Sequence, residues 1–285
     1  MEMTVTVPAG CGEILQGNIE TISAIVTCPI NLCVQAVVSD GVYEETGLQE
    51  KSRRAVAATL AYLGEKRFPY GIKLLSAVPQ GKGMSSSSAD VGALIVAVAA
   101  AFGVTLSERE ICAIALTVEP TNPVFCTGLA VMNRLSGEII HTFTHVPPLA
   151  VLCFDRGGIV DTLTFYGRKS GSGQNADVSE FYEELLRRPT DSRVWGRAAT
   201  GSALLNQDVL YKPELVEFIR LAENCGAVGV GTAHTGTLLS MLLPEKAASD
   251  DGRDFVAAVS RTLPNLRYVG TYRFSSGGYT IERRE

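Results

Sequence analysis

The sequence predicts an α+β fold in two domains. Three observations carry that prediction: β-branched runs open the chain, an apolar helix follows a glycine- and serine-rich turn, and strands and helices are interspersed through the second half. A chain of 285 residues is long enough for two cores of ordinary size. The division is placed at His145-Val146-Pro147-Pro148, where proline stiffens the connection, giving domains 1–147 and 148–285.

Thr4–Val7, Ser23–Thr27 and Leu32–Ser39 read as strands between Gly, Pro and Asp punctuation. Ser52–Leu63 carries apolar residues at helical spacing and stops at Gly64, and Ile72–Val78 reads as a strand entering a glycine-rich loop. Ser88–Phe102 is apolar nearly all round, which places it as a central helix. Ser107 and Glu110 have the spacing of a capping box for a helix running to Val118, which Glu119-Pro120-Thr121-Asn122-Pro123 terminates as a rigid polar loop. Beyond the division, Leu149–Phe154 reads as a strand and Val178–Arg188, Ser192–Asn206, Pro213–Asn224 and Asp250–Thr262 as helices. Ala227–Gly231, Thr237–Leu243 and Leu266–Phe274 read as strands, an order with split βαβ character.

Composition narrows the function. With 46% hydrophobic and 19% charged residues the chain reads as an ordinary globular protein, not a disordered arm. A net charge of -5 argues against nucleic-acid binding, whose affinity rests on a basic face. The apolar run Val91–Gly103 is shorter than the roughly 20 residues a membrane span needs. The first residues, Met1–Pro8, lack the pattern of a secretory signal, so a cytoplasmic protein is expected. Seven cysteines without a Cys-x-x-Cys pair read as buried free thiols, and His141, His145 and His234 are too scattered for zinc spacing.

The segment that bears chemistry is Pro79-Gln80-Gly81-Lys82-Gly83-Met84-Ser85-Ser86-Ser87-Ser88-Ala89-Asp90, between a predicted strand and an apolar helix. Glycines let the backbone approach an anion, and the amides at the helix start point at it with the positive end of the dipole. In isolation such a tract also reads as a flexible linker; the flanking strand and helix favour a phosphate cradle. A Walker loop is excluded because Gly81 and Gly83 are too close and Lys82 lies between them.

This loop resembles the second signature of the GHMP kinases, with Met84 in place of the usual leucine. Pro8–Gly17 resembles the first signature and Gly229–Thr237 the third. Within that superfamily Cys-Gly-Glu-Ile-Leu-Gln-Gly, Glu-Pro-Thr-Asn-Pro and Ala-His-Thr-Gly-Thr are most similar to the L-threonine kinases of cobalamin synthesis, a likeness extending to Gly157–Thr162 and Ala198–Gln207. The resemblance implies an N-terminal ribosomal-protein-S5-like domain, a C-terminal ferredoxin-like domain, ATP and Mg²⁺ as cofactors, and a small alcohol such as L-threonine as substrate. It also raises a homodimer as an expectation.

The same resemblance assigns roles. Pro79, Gly81, Lys82, Gly83, Met84, Ser85, Ser86, Ser87, Ser88 and Ala89 cradle the nucleotide, and Ser86 with Glu119 ligates magnesium, where the plain alternative for Ser86 is a helix cap. Lys82 is placed on the β/γ-phosphates, with Asp90 paired with the helix dipole or orienting either Lys82 or the metal's water shell. Glu13 suits the substrate ammonium or its hydroxyl proton, with Gln16 as a companion. Thr232, His234, Thr235 and Gly236 form a second loop closing on the first motifs, and Asp161-Thr162 reads as a strand-end turn or a substrate contact. Asn122 stands where the family pattern has aspartate, which removes one candidate base and leaves a positioning role in catalysis. Three functions remain open: an L-threonine kinase, a GHMP kinase for homoserine, a sugar or an isoprenoid alcohol, or a silent ligand sensor.

Overall fold

The computed structural model describes residues 2–40, 45–46, 48–158, 176–248 and 252–284. Two 18-residue strands, β1 (Glu2–Ile19) and β2 (Ile22–Ser39), open the chain as one antiparallel hairpin. The three short strands expected here are thus replaced by two long ones. Register shifts at Pro8/Gly10, Gly10/Glu13 and Glu13/Leu15 absorb the residues that break the alternation, so pairing resumes beyond them.

After β3 (Glu45–Thr46), helix α1 (Glu50–Leu63) ends at Gly64, whose φ of 75° supplies the left-handed turn. Strand β4 (Gly71–Ser76) pairs with β2 and delivers the chain to the glycine-rich loop. Helix α2 (Ser86–Ala101) starts two residues before its predicted position and is buried along nearly its whole length. Helix α3 (Glu108–Val118) carries the predicted capping box, Ser107 N donating to Glu110 at 2.7 Å and Glu110 N to Ser107 Oγ at 3.3 Å. Helix α2 packs on the β1–β2 hairpin, and α1 and α3 pack against α2, enclosing the main core. The hairpin β5 (Leu129–Asn133) and β6 (Ile139–Phe143), absent from the prediction, joins the sheet through β2.

The second half follows the predicted order: β7 (Leu149–Asp155), α4 (Ser179–Arg187), α5 (Ser192–Leu205), α6 (Leu215–Asn224), β8 (Gly229–Thr232), β9 (Leu238–Pro244), α7 (Arg253–Thr262) and β10 (Arg267–Arg273). Its strands lie antiparallel in the order β10-β7-β9-β8, the split arrangement expected of a ferredoxin-like unit. A smaller core of Phe154, Leu215, Phe218, Met241 and Val259 lies beneath α6 and α7. One pair, Glu13 with Thr232, links β1 to β8 and makes the whole an 11-stranded sheet. Strand β11 (Thr280–Arg284), also unpredicted, returns to pair with β1.

The expectation of seven free thiols is corrected. Cys11 on β1 and Cys153 on β7, 142 residues apart, form a disulfide with Cα atoms 6.9 Å apart. Tertiary juxtaposition brings them together, and chain spacing carries no trace of it. Cys28, Cys112 and Cys126 remain buried thiols, while Cys33 is exposed and Cys225 half-buried.

Helix α5 lies directly on β8. A Cβ on Gly196 would stand 2.0 Å from the Val228 carbonyl oxygen. This approach lets Thr200 Oγ1 accept from Val230 N at 2.9 Å and Ser202 Oγ accept from Gln16 N at 3.0 Å. Gly196→Ala is expected to destabilise the protein by about 1–3 kcal/mol through forced separation of these elements. Thermal unfolding measures it, and an unchanged melting temperature would show that α5 can shift without loss.

Candidate active site

Backbone hydrogen bonds hold the three signature segments together. Gly10 N donates to Met84 O at 2.9 Å and Gly12 N to Gly83 O at 3.1 Å, while Thr237 N and Leu238 N donate to Lys82 O at 2.9 and 3.2 Å. Two glycines make the contact possible: a Cβ on Gly83, at φ 95°, would fall 2.1 Å from Ala233 Cβ, and one on Gly236 would fall 2.3 Å from Lys82 O.

These segments border a cleft of about 510 Å³ whose floor is the start of α2. Ser85, the residue before the helix, has φ 52° and provides no side-chain cap. The first helical bond of the turn runs from Ala89 N to Ser85 O at 2.9 Å, so the amides of residues 86–88 have no acceptor within the helix. They present partial positive charge to the cleft, a fit for an anion.

Glu13 enters from β1 and is 4% exposed. Asn122 Nδ2 donates to Glu13 Oε1 at 3.1 Å and to Ser85 Oγ at 2.9 Å, and His234 N donates to Glu13 Oε2 at 2.8 Å. Asn122 N in turn donates to Ser88 Oγ at 3.0 Å, which fixes the turn that presents the amide. Burial pushes the Glu13 carboxyl above its ordinary range, outweighing the hydrogen bonds from His234 and Asn122 and the charges of Lys212 and Arg134. The His234 ring is buried too; its Nε2 lies 3.2 Å from Ser202 Oγ on α5. Burial, then Lys212 and Arg134, hold it at about 3, so it is neutral at physiological pH.

A second acidic group lies at the other side of the helix start. Glu119 Oε2 pairs with Lys51 Nζ at 2.8 Å, while Glu119 Oε1 and Asp90 Oδ1 are buried without a hydrogen-bond partner. Burial and then the Glu119 charge push Asp90 up to about 7. Ser86, Asp90 and Glu119 all line the cleft. Two orphaned carboxylate oxygens beside a serine hydroxyl form a hard-oxygen donor set that suits Mg²⁺, which needs few protein ligands. Among the described residues no group of three or more His, Cys, Asp or Glu is placed to hold a metal.

Residues 51–128 match the family of the GHMP kinases N terminal domain. The chain is similar to the L-threonine kinase of Salmonella typhimurium, 26% identical over 247 residues that cover 84% of this chain and 82% of the relative. The L-threonine kinase of Citrobacter freundii is 27% identical over 244 residues, covering 83% and 84%. In fold it is similar to the homoserine kinase from Cytophaga hutchinsonii, with TM-score 0.73 and 15% identity over 99% of this chain and 97% of that one. The mevalonate kinase of Methanococcus jannaschii gives TM-score 0.72 and 13% identity over 96% and 99%. Residues 51–128 carry the likeness to the GHMP kinases in sequence, and the whole chain shares their fold.

The cleft brings together Glu13, Gly81, Gly83, Met84, Ser85, Ser86, Ser87, Ser88, Glu119, Asn122 and Thr235. It does not bring in Lys82: the ammonium donates to the Gly158 carbonyl at 2.6 Å and pairs with Asp155 Oδ2 at 2.8 Å, on the opposite half of the sheet. Asp155 also accepts from Thr237 Oγ1 at 2.6 Å and from Gly157 N at 2.9 Å. Burial raises its pKa, but the hydrogen bonds from Lys82, Thr237 and Gly157 prevail and hold it below the ordinary range. Asp90 therefore lies with Glu119, without contact to Lys82.

Pro79 and Ala89 shape the loop without lining the cleft, and Gln16 engages α5 through its backbone amide. Thr232 Oγ1 donates to Leu238 O at 3.0 Å inside its own hairpin, while the His234 ring packs toward Ser202 and Gly236 serves the backbone contact. Asp161-Thr162 lies outside the described residues. Sequence reasoning missed Lys51, Asp155 and Lys212, because none sits in a recognisable motif and each acquires its partner only through the fold.

The neutral His234 ring links stability to pH. The unfolded chain takes up this proton as pH falls through about 6.5, and the folded chain does so only near 3, so acid favours unfolding across that window. At about pH 5 the group costs about 2 kcal/mol relative to neutrality. His234→Gln is expected to lose less stability than the parent on acidification, measured by denaturant titration. Parallel stability curves would show that the ring accepts its proton within the fold.

Proposed function

We propose that this kinase transfers the γ-phosphoryl group of ATP to the side-chain hydroxyl of L-threonine, producing L-threonine O-3-phosphate for cobalamin synthesis. The observation that carries the reading is the buried Glu13 carboxylate, held by Asn122 and His234 beside the uncapped start of α2. Similarity to two L-threonine kinases supports the choice of acceptor.

The amides of residues 86–88 receive the phosphate oxygens and offset charge that grows in an in-line displacement. Glu13 accepts the hydroxyl proton, and its raised pKa brings its basicity closer to neutrality. Asn122, with no ionisable group, orients that carboxylate through its N–H while tying it to Ser85. Ser86 and Glu119, with Asp90 alongside, are the residues that would hold Mg²⁺, and Lys51 keeps Glu119 compensated by an ion pair. Bound there, Mg²⁺ neutralises charge on the phosphate oxygens. Four carboxyl groups, those of Glu13, Glu50, Asp90 and Glu119, against the one lysine Lys51 make the cleft anionic, which is why a polyanion needs a compensating cation here.

The test is a parallel assay with ATP, Mg²⁺ and L-threonine, homoserine, mevalonate or galactose, following ADP and the phosphorylated product. L-Threonine is expected to give the highest kcat/KM, and Glu13→Gln to lower kcat by about 10²–10⁴-fold. A higher kcat/KM with another alcohol would reassign the acceptor. Tight L-threonine and nucleotide binding without product would turn the reading to a silent sensor, which the Asn122 substitution of the family pattern favours.

Asn122→Asp removes the N–H donor to Glu13 and sets a second carboxylate 3.1 Å from the first. Like charges at that separation hold one proton between them. Turnover at neutral pH is expected to fall by about tenfold or more, with the acid side of the rate profile displaced upward. A rise in turnover would identify position 122 as the better base.

A further inference from the structure

Lys212 is the buried charge that the mechanism above leaves without a task. It is 1% exposed and follows α5 and a short 3-10 turn. Gln207 clamps its backbone from both sides, Lys212 N donating to Gln207 Oε1 at 2.8 Å and Gln207 Nε2 donating to Lys212 O at 2.9 Å. The ammonium donates to two neutral oxygens, Ala233 O at 2.9 Å and Asn206 Oδ1 at 3.4 Å. Burying an ammonium against neutral acceptors is costly, so its retention calls for a partner in charge.

That partner stands at the other end of one peptide bond. The Ala233–His234 unit accepts from Lys212 through its carbonyl oxygen and donates to Glu13 Oε2 through its amide at 2.8 Å. A trans peptide is planar, with its C=O and N–H pointing in opposite directions, so the two charges sit at the two ends of a single dipole. Each charge meets the end of opposite sign. The peptide is polarised from both sides, which strengthens both hydrogen bonds in a low-dielectric setting.

We propose that Lys212 is a positioning residue for Glu13, acting through the Ala233–His234 peptide to hold the carboxylate in place and in its ionised form. The proposal rests on the reading of Glu13 as the base. Other groups face Glu13 as well: Arg134 beyond β5, Cys28 on β2, the His234 ring and the Asn122 amide. Arg134 acts in the same sense as Lys212, the neutral ring carries no charge, and the Cys28 thiol is held protonated by burial. Lys212 itself is influenced by Glu13, Arg156 and Glu214, and burial lowers it to about 8, so it remains charged at neutral pH.

Lys212→Met is expected to move the acid limb of the kcat/KM profile up by about one pH unit, a roughly tenfold loss below neutrality that shrinks as pH rises. In the Glu13→Gln background the same substitution is expected to add no such shift. A merely structural role for Lys212 would lower activity evenly across pH and would persist in that background, which overturns the proposal.

The wild-type protein offers a second test that needs no variant to fold other than one for assignment. Glutamate labelled with ¹³C at the carboxyl and ¹⁵N at the amides is titrated without substrate, Glu13 being assigned by its loss in Glu13→Gln. The Glu13 carboxyl and the His234 amide are both expected to shift together as Lys212 loses its proton near pH 8. Flat signals through that range would overturn the coupling. The two readings fail separately: wild-type turnover in Glu13→Gln would remove the base assignment, whereas an inactive Glu13→Gln with an unmoved Lys212→Met profile would remove only the role of Lys212.

Discussion

Two amides, those of Gly10 and Gly12, donate to the carbonyls of Met84 and Gly83 and so seat the glycine-rich loop on the first strand. The remainder of the site is placed by that contact. It sets where α2 begins, and thereby where amides 86–88 point, and it brings Glu13 within reach of Asn122 and Ser85. The bulges in β1 are what free those two amides from the hairpin ladder, so the irregularity of the strand and the position of the loop are one feature. Thr237 and Leu238 close the arrangement from the opposite side by binding the Lys82 carbonyl.

Charge in the site is divided by the fold. Lys82, the cation inside the loop, is committed to Asp155 and helps bind the two halves of the sheet, while Lys51 answers Glu119 in the cleft. On the proposed reading, the attraction for a polyphosphate would come chiefly from uncharged amides and from a cation held by the Ser86–Asp90–Glu119 oxygens. Buried dipoles of this kind need no reorganisation when charge develops, which is the advantage of a backbone cradle over a flexible side chain.

Much of the fold was legible because its punctuation is local. Gly64, the Ser107–Glu110 box and the prolines after Glu119 mark helix ends by short-range chemistry. The β5–β6 hairpin and β11 were not legible: Leu129–Asn133 is too short to show a period, and Thr280–Arg284 is an exposed, largely polar strand whose pairing is decided by β1. The site divides in the same way. Ser86, Glu119, Glu13 and Asn122 were found through motifs, and the cleft collects them. A lysine between glycines reads as a phosphate cation until Asp155 arrives from 73 residues downstream to claim it. Nothing in the vicinity of Lys212 or of the cysteine pair 11 and 153 announces burial or proximity, since both are products of how the second half docks on the first.

The two half-sheets share one ladder rung, Glu13 opposite Thr232, and the same seam is crossed by the Cys11–Cys153 disulfide and by a bridge from Ile30 to Phe274. A rung on such a seam answers to both halves at once. The backbone of the residue proposed as base is gripped by a strand from each, so a substitution that loosens either half reaches the carboxylate without touching the cleft.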